Sequence, residues 1–163
     1  LSNMTSTLTN IGQQNTSGVD WNINYRNDLF KVSLDTTYLI EFEEDGVNYE
    51  GTIDGNMGGY SQLKSNLSVY ADVTEDVSML YSAQFIQGMD GNAWGDEYST
   101  SNVVYHNLSS SYHINNDWQV TGGIKNIFDK EPEEVPDGND MNTVQNIYDV
   151  VGRTFFISTS YKF

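Results

Sequence analysis

Apolar and polar residues alternate along most of this chain. Period two places successive side chains on opposite sides of an extended strand, so each alternating run reads as a strand with one greasy face. Residues 17–26 set Val19, Trp21, Ile23 and Tyr25 against Asp20, Asn22, Asn24 and Arg26. Residues 29–42 set Phe30, Val32, Leu34, Thr36, Tyr38, Ile40 and Phe42 against Lys31, Ser33, Asp35, Thr37, Leu39 and Glu41. Residues 61–73 set Leu63, Leu67, Val69, Ala71 and Val73 against Lys64, Asn66, Ser68, Tyr70 and Asp72. The chain closes on VGRTFFISTSYKF, with Phe155, Ile157, Thr159, Tyr161 and Phe163 on one face. Its other face, Thr154, Phe156, Ser158, Ser160 and Lys162, is small and polar except for Phe156. Residues 77–88, 102–114 and 118–128 alternate less cleanly, and a weaker strand is expected at about 5–13. The pattern predicts an all-β, antiparallel protein of about eight strands.

Two features separate a membrane barrel from a soluble sandwich. The strands are long: globular strands run ~5–6 residues, whereas a tilted membrane-spanning strand needs ~9–11. Connections also alternate. Tight turns are expected at Asn27-Asp28, Thr74-Glu75-Asp76 and Asn115-Asn116-Asp117, and long loops join the other successive strands. Short turns on one rim and long loops on the other are the plan of an outer-membrane barrel. Trp21, Tyr25, Tyr112, Trp118, Tyr161 and Phe163 lie near strand ends, where interfacial aromatics belong.

Composition agrees with extended structure: aromatics are 13%, Pro 2 and Cys 0. Without cysteine there is no disulfide and no thiolate metal site. The net charge of −16 is concentrated in stretches 43–60, 89–101 and 129–150, where Lys130 is the only base. Those stretches are the three long loops. Such acidity excludes nucleic acid, whose phosphates are met with Lys and Arg.

No catalytic signature is present: there is no G-x-S-x-G, H-E-x-x-H, P-loop or dinucleotide fingerprint, and a non-enzyme is expected. His106 and His113 fall on opposite strand faces and cannot share a metal. Each acidic loop carries an Asp-Gly-Asn triplet, beginning at Asp54, Asp90 and Asp137. These residues make turns readily, and their oxygens also suit Ca²⁺. Asp137, Asn139 and Asp140 are the leading candidates for such a site. In the loop at 89–101, Trp94, Asp96, Glu97 and Tyr98 combine aromatic rings with carboxylates, as sugar recognition does, and Tyr60 is a further candidate. Packing of the loops on themselves is the competing reading for all five.

The segment from Trp118 to Phe163 carries a family resemblance. Gly123, Asn126, Ile127, Phe128, Asp129, Lys130 and Pro132 precede a polar loop. Tyr148, Asp149, Gly152 and Arg153 then lead into the aromatic last strand. This resembles the C-terminal end of a TonB-dependent outer-membrane receptor. Tyr105 to Ser109 with Tyr112, and Asn10-Ile11-Gly12 followed by Ser17 to Asp20, resemble earlier strands of the same barrel.

The resemblance implies that residues 1–163 are the C-terminal part of a barrel of about 22 strands, with the plug domain, TonB box and earlier strands outside this sequence. It implies a Gram-negative outer membrane, lipid and lipopolysaccharide around the barrel, the TonB complex as energy source, and uptake of a scarce ligand. Phe155, Ile157, Tyr161 and Phe163 would form the C-terminal membrane signature, with a periplasmic terminus and extracellular acidic loops. An acidic mouth repels anions, so an oligosaccharide is expected ahead of a ferric siderophore. A free-standing eight-stranded barrel with adhesive loops, and a soluble ligand-binding sandwich, are the alternatives.

Overall fold

The computed structural model of the chain describes residues 12–54, 58–136 and 142–163. Every described element is a strand. The long strands are β1 (Gln14–Arg26), β2 (Phe30–Glu44), β6 (Leu63–Asp72), β7 (Val77–Ile86), β10 (Val103–His113), β11 (Trp118–Lys125) and β12 (Thr154–Tyr161). They form one antiparallel sheet in the order β1-β2-β6-β7-β10-β11-β12, with β3 (Val47–Asn48) added to β2. Each long strand pairs with the next long strand along the chain. The strand expected at about 5–13 falls mainly on residues outside those described. Among the described residues β1 and β12 do not pair with each other, so the sheet is an open wall and not a closed barrel.

Register turns seven local patterns into one surface. Tyr25 lies opposite Val32, and Val32 opposite Val69. Val69 lies opposite Tyr81, and Tyr81 opposite Leu108. Leu108 lies opposite Ile124, and Ile124 opposite Phe155. An apolar row therefore crosses the whole sheet, and the rows two residues away are mainly apolar, broken by His106 on one side and by Ser110 and Gly122 on the other. A slip of one residue in any pairing would turn a strand inside out. The other face is polar: Asn22 donates to Asp35, and Thr37 Oγ1 donates to Asp20 at 2.6 Å.

All three short turns use one device. Asn27 Oδ1 accepts the N–H groups of Leu29 and Phe30, and Asn115 Oδ1 those of Asp117 and Trp118. Thr74 Oγ1 does the same for Asp76 and Val77. A short polar side chain thus replaces the ladder where the chain reverses.

Phe156 breaks the polar face of the last strand for a packing reason. It lies opposite Gly123, and its ring occupies the space where a Cβ on Gly123 would stand, 2.6 Å away. The glycine leaves the gap and the ring covers it.

The first two long loops contribute β4 (Thr52–Asp54), β5 (Gly58–Gly59), β8 (Asp90–Ala93) and β9 (Asp96–Ser99), which form a second sheet in the order β5-β4-β8-β9. β4 and β8 come from different loops and pair in parallel. The chain's buried apolar cluster lies here: Ile53, Ile86, Met89, Val103, Tyr105, Val135, Val144 and Tyr148. Ile86, Val103 and Tyr105 stand on the otherwise polar face at its loop end. Their burial explains why alternation weakens over 77–88 and 102–114. There the otherwise polar face is covered by the loops, so apolar residues stand on both sides of the strand.

Candidate functional site

The cap formed by these loops is held by backbone-directed bonds. Asn126, buried and at φ 50°, ends β11. Its side chain accepts the N–H of Lys130 at 2.8 Å and donates to that residue's carbonyl at 2.9 Å. This stops the strand at Lys125, short of the expected 128. Asp129, at φ 54°, accepts the N–H of Arg153 at 2.8 Å and its guanidinium at 3.2 Å, closing the base of loop 126–153. The conspicuous N-I-F-D-K and G-R residues thus build the loop's hinge points. Farther along, Glu133 accepts the N–H of Ser101 at 3.0 Å and the ammonium of Lys130 at 2.8 Å. Tyr148 donates to Thr100 at 3.0 Å, and the N–H of Asp149 donates to the Tyr105 hydroxyl at 3.1 Å. The third loop is thereby tied to the second and to β10.

Electrostatics follow burial. Burial alone would raise the Glu133 carboxyl, but its hydrogen bonds with Lys130 and Ser101 hold it below the ordinary carboxylate value. Burial pushes the Tyr148 hydroxyl up, against the lowering effect of its bond to Thr100. Tyr60 is also raised, first by burial and then by Glu44 and Asp54.

An open pocket of about 550 Å³ lies beside the parallel β4–β8 pair. Its wall includes Tyr49, Asp54, Asp90, Asn92, Glu97 and Tyr98. Tyr98 lies opposite Gly91, and its ring rests where a Cβ on Gly91 would stand, 2.3 Å away. Asp90 accepts the Ser99 hydroxyl at 2.7 Å.

The expected ligand residues do not stand together. Glu97 and Tyr98 line the pocket. Trp94, at φ 52° in the β8–β9 turn, is 87% exposed and projects away from any packed wall, while Asp96 begins β9 on the surface. The tight turn leaves Trp94 at its tip, off the strand that carries Glu97 and Tyr98. Tyr60 stacks on Phe42, with centroids 4.3 Å apart, and approaches Tyr49 at 6.1 Å.

Tyr49, Asn48, Thr52 and Ser99 join the wall without any signal in the sequence. Asp54, Asp90 and Asn92 had one: they belong to the first two Asp-Gly-Asn triplets, and the β4–β8 pairing of Thr52 with Asp90 and Ile53 with Gly91 sets these three on one wall. Asp137, Asn139 and Asp140 lie outside the described residues. Among the described residues, no group of three or more His, Asp or Glu side chains is arranged to hold a metal ion.

A seven-stranded antiparallel sheet with a mainly apolar face and a loop cap at one rim has the architecture of a barrel-wall segment. No protein-family model matches the chain, and no curated protein matches it. Solved structures do. The ferric enterobactin receptor PfeA from Pseudomonas aeruginosa matches at TM-score 0.64 and 16% identity, over 91% of this chain and 22% of that one. The siderophore receptor PirA from Acinetobacter baumannii matches at TM-score 0.66 and 14% identity, over 91% and 22%. FpvAI, in its complex with pyocin S2, matches at TM-score 0.65 and 14% identity, over 90% and 20%. The fold is that of the TonB-dependent receptor barrel, as the C-terminal residues imply. The chain spans about a fifth of the length of these structures.

Proposed function

We propose that this chain builds the C-terminal wall of a TonB-dependent outer-membrane receptor and part of the mouth through which a scarce ligand is taken up. One observation carries the reading: an apolar row that crosses all seven long strands from Tyr25 to Phe155, joined to a fold shared with siderophore-receptor structures. The apolar face meets lipid, the polar face lines the lumen, and the loops fold over the lumen's outer end. The C-terminus is then periplasmic. The acidic loops face outward, where lipopolysaccharide and divalent ions lie. The rest of the barrel, its plug and the TonB complex are the implied partners.

The ligand is a ferric siderophore. The fold likeness favours this class, since PfeA and PirA are receptors for such molecules, and the expectation of an oligosaccharide draws no support from them. The match to about a fifth of each receptor structure favours a piece of a larger barrel over a free-standing eight-stranded one. The test is uptake of radio-iron chelates by cells with and without the gene, with TonB energisation on or blocked. Gene- and TonB-dependent uptake is expected. Uptake indifferent to both overturns the reading.

A further inference from the structure

The pocket beside β4 and β8 is built without a positive charge. Its wall carries Asp54, Asp90 and Glu97 together with the amides of Asn48 and Asn92. No Lys or Arg occurs between Lys31 and Lys64 or between Lys64 and Lys125, so both loops that form the wall lack a base along their whole length. The third loop has bases at its ends, and both are engaged: Lys130 with Glu133 at 2.8 Å and Arg153 with Asp129 at 3.2 Å. The side-chain charges along the wall are therefore all negative, and Lys64, the base that flanks the first loop, stands on β6 outside the wall. The pocket's other character is flat and apolar, from Ile53, Tyr49 and the Tyr98 ring seated on Gly91.

Carboxylates accept hydrogen bonds and donate none, and aromatic faces attract cations. A polyanion brought here meets like charge and loses hydration without gaining donors. A bare metal ion is also a poor fit, because the carboxylates do not converge as a ligand set. We propose that this pocket receives the ammonium- or amide-bearing arm of a neutral or cationic ferric chelate, of the hydroxamate kind, and discriminates against polyanionic catecholate chelates. This rests on the siderophore reading above and adds the sign of the ligand's charge.

The full-length gene product, purified in detergent, provides the test. Equilibrium binding is measured for four probes: a ferric trihydroxamate with a free ammonium, a neutral ferric trihydroxamate, a ferric tris-catecholate and a neutral oligosaccharide. The cationic chelate should bind at least about tenfold tighter than the catecholate, with the margin shrinking as salt rises. In the double variant Asp90→Asn, Glu97→Gln that margin should fall by about tenfold, with heat-modifiable gel mobility confirming a folded barrel. Equal or tighter catecholate binding, or a margin unmoved in the folded variant, overturns the charge assignment while leaving the siderophore reading intact. Binding of the oligosaccharide alone overturns both.

Discussion

Asp129 and Arg153 show how little of a motif's importance lies in its charges. Their ion pair is half exposed, with side chains 54% and 42% accessible, and exposed pairs contribute about 0–1 kcal/mol. The same carboxylate also accepts the Arg153 N–H, a charge-assisted bond worth about 1.5–3 kcal/mol. Arg153→Ala should therefore cost less than about 1 kcal/mol, and Asp129→Ala clearly more, in urea unfolding of the protein in lipid vesicles. Equal costs would mean that the guanidinium, not the backbone, is what Asp129 holds. Gly123 is a second residue whose value lies in what it omits. A Cβ there meets the Phe156 ring at 2.6 Å and the Leu108 carbonyl at 2.8 Å. Gly123→Val should cost about 1–3 kcal/mol by overpacking, read from the same unfolding midpoint.

Among the elements, loop 126–153 behaves as a docked piece whose hold depends on pH. The folded value of Glu133 is depressed below 4.5, so its contribution is complete above that pH and is lost as pH falls through the folded value. Protection of the loop's amides against hydrogen exchange, taken relative to the intrinsic rate at each pH, should fall as acid is added below about pH 4.5. Glu133→Gln should flatten that response, and an unchanged acid response in the variant would assign it to other carboxylates. The docking surface itself is apolar. Ile86 is 1% exposed at its centre, and Ile86→Ala should cost about 2–5 kcal/mol and loosen all three loops together. Loosening confined to one loop would deny the common core.

For the whole molecule, the proposed barrel wall makes register decide which face meets lipid. Single cysteines at Ile157 and Ser158, labelled with an environment-sensitive dye in reconstituted protein, should report opposite surroundings. The first should be quenched by lipid-borne quenchers and the second by aqueous ones; the reverse result would invert the barrel wall. The two positions are adjacent in sequence, so only the side of the sheet distinguishes them.

Much of this was legible in the chain. Alternation from Val19 to Tyr25, from Phe30 to Phe42 and from Phe155 to Phe163 specifies strands and their apolar faces, because a strand's two-residue repeat is local. Asn27, Thr74 and Asn115 specify the short turns, because each caps its own reversal. The cap was not legible. Val135, Val144 and Tyr148 are scattered among acidic residues, and no period marks them as a core. Their burial against Ile86 and Val103 is a contact between distant segments. The pocket is likewise a product of the parallel β4–β8 pairing, which joins Thr52 to Asp90 across a long stretch of chain. The sequence by itself determined the strands, their faces, the two kinds of connection and the negative charge of the loops. Only the tertiary structure decided that the described parts of those loops pack together as a cap on the sheet, because that depends on which distant apolar side chains leave water together.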